Sequence, residues 1–252
     1  MLIHSRAVLQ LLFFVLLSAD VVAATVEFSA TAVQQFPQGQ KKMAQMNVGQ
    51  DGVRREYVYN GQTIVEIYRP SKGLRYLILP QQKTYELAEA TETISAMNQA
   101  SSTSTNPCTG IVGEKCKLLA KETINGRRAD KWEVSRLIDG KTIKALIWVD
   151  IERGQALRQF FPDGSIVELV QMGTEKIGER STEKWVLHSK RPDGISEKTL
   201  QWYDPELGII IKEVMPGGYI RELMNIKLGK QPEQIFEIPE NYKKVESAVP
   251  GQ

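Results

Sequence analysis

Asp150 and Asp204 are the side chains whose type and placing most invite a chemical role, because each closes the same tetrad, Ile147-Trp148-Val149-Asp150 and Gln201-Trp202-Tyr203-Asp204. Two carboxylates are the equipment of acid–base hydrolysis. Each, however, stands four residues before a glycine, Gly154 or Gly208, a spacing at which aspartate caps a turn with its own side chain. The turn reading is the simpler one and is adopted. Beyond His4 the one histidine is His188, flanked by Leu187 and Ser189 in an alternating stretch that places it at a surface or an edge. A Ser-His-Asp site would have to use it, yet no Gly-x-Ser-x-Gly elbow accompanies it. Metal hydrolysis needs several convergent ligands, and neither a phosphate-cradling glycine loop nor a βαβ pattern is present. No residue is therefore assigned a catalytic or metal-binding role, and no cofactor is expected. Cys108 and Cys116 are the two cysteines and flank seven residues. In an exported chain an even count at close spacing reads as a disulfide, which by loop entropy contributes about 2 to 3 kcal/mol.

The elements that hold these residues repeat. Asp139-Gly140, Trp148, Asp150, Gly154, Pro162, Gly164, Glu168 and Leu169 recur as Asp193-Gly194, Trp202, Asp204, Gly208, Pro216, Gly218, Glu222 and Leu223, all at an offset of 54, and Trp132 matches Trp185 at 53. Each copy reads as a four-stranded meander whose turns fall at Asp-Gly, at Gly154 or Gly208, and at Pro162-Asp163-Gly164 or Pro216-Gly217-Gly218. Upstream, strands are expected over 25–35, 42–48, 53–59, 62–68, 74–79 and 83–87, with Asn60-Gly61, Gly73 and Pro80 marking a weaker third copy. Leu74, Tyr76 and Ile78 alternate with Leu77 and Leu79, so that strand is apolar on both faces and needs cover on both. The meander breaks over 88–117. Thr91 can cap a short helix with Ala90, Ile94 and Met97 at i, i+4 and i+7. Whether it fills a gap in the core or closes over a cavity is left open by the sequence.

The chain opens with a processing signal over 1–24: His4 and Arg6, an apolar run over 7–17, then Val22-Ala23-Ala24. That run is too short to span a bilayer comfortably, so no stable membrane span is expected after processing. The net charge is +2 with 32 basic and 30 acidic residues, interspersed along every strand, which argues against a nucleic-acid footprint. Residues 25–245 read as one domain and 246–252 as a flexible tail. With eleven to fourteen strands, such a sheet curls rather than staying flat. The expected fold is mainly β: an antiparallel, strongly curved, unclosed β-barrel, or half-barrel, with one or two short covering helices.

The two Trp-x-Asp tetrads, each followed by a glycine four residues on, a basic third strand and a glycine-turned fourth strand, resemble the periplasmic lipoprotein-carrier (LolA/LolB-like) superfamily. So does the ending, where Leu223-Met224-Asn225-Ile226-Lys227 leads to Ile235-Phe236-Glu237-Ile238-Pro239 and Asn241-Tyr242. The resemblance implies an unclosed barrel whose concave face, covered by short helices, holds lipid or lipoprotein acyl chains in the periplasm without transforming them. The chain reads as an exported relative rather than the dedicated carrier. Ligand-lining candidates are Tyr57, Ile67, Tyr76, Ile94, Met97, Trp148 and Trp202; the aromatic rings among them serve equally as core. The rival reading is an interaction module that binds another envelope protein by strand addition. Cleavage after Ala24 leaves Thr25 at the mature N-terminus, which mass spectrometry of the exported protein should find; a soluble product retaining Met1 would contradict it.

Overall fold

The structure, a computed structural model, describes residues 26–89, 106–108, 113–138 and 140–246. The expected signal segment, the helix with Ile94 and Met97, and most of the tail lie outside them. The strands are β1 (Phe28–Gln35), β2 (Lys41–Gly49), β3 (Gly52–Tyr59), β4 (Gln62–Arg69), β5 (Leu74–Leu79), β6 (Thr84–Glu89), β7 (Glu114–Ile124) and β8 (Arg127–Ile138). They continue as β9 (Lys141–Asp150), β10 (Ala156–Phe160), β11 (Ile166–Ile177), β12 (Arg180–Lys190), β13 (Ser196–Asp204), β14 (Ile209–Met215), β15 (Tyr219–Leu228) and β16 (Lys243–Lys244). All sixteen form one sheet in the order β16-β6-β5-β4-β3-β2-β1-β15-β14-β13-β12-β11-β10-β9-β8-β7. Its outermost strands, β16 and β7, are not paired with each other, so the half-barrel stays unclosed.

Two of these strands exceed the eleven to fourteen expected. β7 opens the first repeat: its span lies 53 residues before most of β11, and the repeat is thus longer at its start than the tryptophans indicate. β16 pairs parallel with β6, through Lys243 opposite Thr84, beyond the last strand expected from the repeat. Elsewhere every ladder is antiparallel: most join consecutive strands through short turns, and β1 pairs with β15 from the other end of the chain. Asn60 and Gly61 show why: their φ values of 49° and 77° suit a two-residue hairpin that matches strand twist.

The curl has a source in the repeat. Register shifts fall between Leu118 and Ala120 on β7, and between Gln171 and Gly173 on β11, positions related by the offset of 53. A third lies where β1 meets β15, beside Asn225, which has a φ of 53°. Bulges bend and over-twist the strand that carries them, so bulges at equivalent places bend the sheet repeatedly.

The two aspartates cap turns as expected and also do more. Asp150 is 1% exposed; one of its oxygens accepts the backbone N–H groups of Glu152 (2.8 Å) and Arg153 (3.3 Å), and the other accepts from Arg127 Nε. Asp204, equally buried, takes N–H groups from Glu206 (3.0 Å) and Leu207 (3.1 Å) and is held by Arg180 Nε and Nη2. Arg127 and Arg180 are themselves repeat-equivalent. Their charge satisfies a carboxylate that the turn has taken out of water.

Core residues of β1, β2, β3, β14 and β15, among them Phe28, Met46, Val53, Ile211 and Leu223, form the largest cluster on what we call the core face. On the opposite face, Val65, Ile67 and Ile78 are covered by Phe236, with Ile235, Ile238 and Tyr242 beside it. The cover anticipated for β5 is therefore partly supplied by the C-terminal segment. A Cβ on Gly49 or Gly52 would come within 2.6 Å or 2.7 Å of the Phe236 ring, so these glycines make its seat. Arg69 anchors that segment by donating to the Phe236 carbonyl (3.3 Å) while pairing with Asp51 (3.4 Å).

Removing one partner of a buried, hydrogen-bonded ion pair costs about 3 to 5 kcal/mol. Asp150→Ala and Asp204→Ala should each lower unfolding free energy by that order in urea titrations, and a loss below about 1 kcal/mol, typical of an exposed pair, would contradict this account.

Candidate functional site

The ladder between β2 and β3 runs only from Gly49 opposite Gly52 to Gln45 opposite Glu56. Beyond that point β2 stays paired with β1 as far as Lys41 opposite Gln35, and β3 stays paired with β4 as far as Tyr59 opposite Gln62. The two strands therefore fork. A cavity of about 500 Å³ occupies the fork, lined by residues that include Ala32, Met43, Ala44, Tyr57, Val58 and Tyr59. That volume lies within the range of small-ligand sites, and an apolar wall with a few polar groups is their usual make-up.

A cluster of polar groups lies on the core face beside it. Glu66 lies opposite Arg55 across the β3–β4 ladder. Tyr57 Oη donates to Glu66 Oε1 at 3.0 Å, and Arg75 Nη2 reaches the same oxygen at 3.0 Å. Burial pushes the Arg55 guanidinium below its usual range, and the Glu66 carboxylate opposes that shift. The Tyr57 phenol is pushed well above its ordinary value of 10.0, first by burial and then by Glu66. Next along this face, Arg221 pairs with Glu213, which also accepts from Gln201 Nε2 at 2.9 Å. This arrangement can orient the polar end of an amphiphile whose chain lies along the fork.

A second cavity, of about 560 Å³, sits at the other end of the β2–β3 ladder, under the C-terminal segment. Its walls are Glu27, Asp51, Arg69 and Gln231 with their neighbours, and these bond to one another: the Gln231 N–H to Glu27 (2.8 Å), Arg69 to Asp51. A wall so polar suits an apolar ligand less well.

Of the residues singled out in the sequence, Tyr57 lines the fork. Ile67 and Tyr76 lie on the opposite face with Phe236. Ile94 and Met97 fall outside the described residues. Trp148 and Trp202 stand in two equivalent cross-strand rows, Lys131–Trp148–Arg158–Glu168 and Lys184–Trp202–Lys212–Glu222. Lys131 and Arg158 lie 4.8 Å and 5.8 Å from the Trp148 ring, and Lys184 and Lys212 lie 5.1 Å and 5.7 Å from that of Trp202. Both rings are thus under long cationic side chains, at 4% and 5% exposure. Trp148 also donates to Glu122 at 2.7 Å. Met43, Val58, Tyr59, Arg55, Glu66 and Arg75 were not singled out; the crowd of tyrosines in β3 and β4 was the signal nearest to them. Cys108 and Cys116 form the expected disulfide (S–S 2.05 Å), which ties the start of β7 to the chain before it. Among the described residues no group of acidic, histidine or cysteine side chains is arranged to hold a metal ion, and no helix is long and apolar enough to cross a membrane.

No family model matches the chain, and no curated protein matches it. Among solved structures it is similar to a LolA superfamily protein from Nitrosomonas europaea, at 12% identity over 86% of this chain and 91% of that one, with a TM-score of 0.35. It is similar also to an outer membrane lipoprotein-sorting protein domain from Vibrio parahaemolyticus, at 11% identity over 83% and 88%, with a TM-score of 0.31. A third likeness is to the MucA/MucB complex of Pseudomonas aeruginosa, at 12% identity over 83% and 90%, with a TM-score of 0.20.

A phenol kept neutral by the fold makes stability depend on pH. As pH rises, the unfolded chain loses this proton first, so the Tyr57 contribution is complete below about pH 10 and drains away above it. Urea midpoints of the native protein should therefore fall more steeply above about pH 10 than those of Tyr57→Phe. Equal slopes would place Tyr57 in water.

Proposed function

We propose that this protein is a periplasmic carrier that holds a lipid, a lipoprotein acyl chain or a similar amphiphile in the fork of its half-barrel and does not transform it. The observation that supports this most directly is the fork itself: two strands that leave each other while each keeps its outer partner, with an apolar-walled space of ligand size between them. A cleft of this kind exposes Met43, Val58 and Tyr59, at 58%, 70% and 49%, where burial against a chain would remove apolar surface from water. The Tyr57–Glu66–Arg75 cluster gives it a polar floor. Export through the segment 1–24 and a cover from the segment around Ile94 and Met97 belong to the same reading.

The test is displacement of an environment-sensitive apolar dye, with native mass spectrometry of the freshly purified protein. Co-purified lipid, or displacement by fatty acids and phospholipids, supports the carrier. Val58→Asp changes an exposed side chain, so it should leave the melting temperature unchanged and weaken amphiphile binding about tenfold, since it sets a charge in the apolar wall. A protein that carries no lipid, ignores the dye and instead takes up one envelope partner in fixed ratio would replace this reading with the interaction module.

A further inference from the structure

The charges set into the fork are unequal in sign. Lys41, Lys42 and Arg55 are in its lining, against the single carboxylate of Glu56. Glu56 is already engaged, since Arg54 Nη2 reaches its Oε2 at 2.5 Å. Glu66, just behind, lies opposite Arg55, whose charge it favours, and is engaged by Tyr57 and Arg75. Lys42 lies over the Phe36 ring at 5.5 Å. Arg55 is deeper, where burial disfavours its charge. A poorly hydrated guanidinium gains from a further anion and presents a planar set of donors that matches carboxylate or phosphate oxygens.

We infer that the fork selects amphiphiles with one anionic headgroup, carboxylate or phosphate, drawn by the positive charge that Lys41, Lys42 and Arg55 give its lining, with the chain along Met43, Tyr57 and Val58. This deepens the carrier reading above and rests on it. The apolar walls recognise the chain and are indifferent to the head; the cations discriminate among heads. Two partly exposed cations acting together are enough for about a tenfold preference at low ionic strength. The preference should shrink as salt rises.

The experiment uses the mature full-length protein and four dodecyl amphiphiles below their micelle concentrations: dodecanoate, dodecyl phosphate, dodecyl maltoside and dodecyltrimethylammonium. The two anions should displace the dye at concentrations about tenfold lower than the maltoside, with the cation weakest. Dodecanoate ahead of dodecyl phosphate would identify a carboxylate as the ligand's head, and the reverse order a phosphate; each supports the inference. The double variant Lys41→Gln, Lys42→Gln alters exposed side chains that should not disturb folding, and it should lose most of the preference with the maltoside affinity unchanged. Equal affinity for all four heads, or a preference that survives this variant, would overturn the inference and leave the carrier reading intact. Displacement by none of the four would overturn both.

Discussion

The constraint on which the site depends is that β2 and β3 share a ladder for only part of their length. From Gly49 to Gln45 they are partners; beyond, β2 follows β1 and β3 follows β4. In a sheet whose strands diverge by twist, one pair must yield first. It yields where small and long residues face each other, Ala32 and Ala44 on one side and Tyr57 and Tyr59 on the other. The other end of that ladder cannot yield, because Gly49 and Gly52 are seated against Phe236, and Asp51 is bonded to the Ser71 N–H (3.0 Å), to its hydroxyl (2.5 Å) and to Arg69. The fork is thus pinned at its base and open at its tip.

The repeated half of the chain gives the fork its frame. Each unit carries the same bulge, the same buried aspartate with its arginine, and the same tryptophan between two cations. The aspartate–arginine pairs lock turns at one end of the strands. Trp185 lies between Arg127 and Arg153 and shares a core cluster with Trp148. Pairing long cationic stems with rings lets a strand bury an aromatic while keeping its charges wet. On this view Trp148 and Trp202 stiffen the frame, and the ligand chemistry belongs to the first half, outside the two tryptophan repeats.

The hairpins were legible in the sequence because turn chemistry is local: Asn60-Gly61, Pro162-Asp163-Gly164 and Asp193-Gly194 announce themselves within a few residues. The caps at Asp150 and Asp204 were legible for the same reason. Their arginine partners, Arg127 and Arg180, recur at the offset of 53 but stand at the start of the strand before each aspartate's own, so no local spacing pairs them. β7 was missed because its face alternates weakly, with Leu118 and Leu119 adjacent, and because it follows the cysteine loop. β16, the Phe236 seat and the fork rest on pairings between residues far apart in the chain. No local pattern encodes where a ladder ends, since that is decided by the twist accumulated over neighbouring strands.

The central claim is that a ligand occupies the fork between β2 and β3, and amide hydrogen exchange reads it most directly. The ladder between β2 and β3 ends at Gln45 opposite Glu56, so a chain bound beyond that point would shield backbone that the ladder does not. With saturating dodecanoate, slowed exchange at residues 41–44 and 57–59 is the result this account predicts. Protection confined to the strands around Trp148 and Trp202, with 41–44 and 57–59 unchanged, would contradict it.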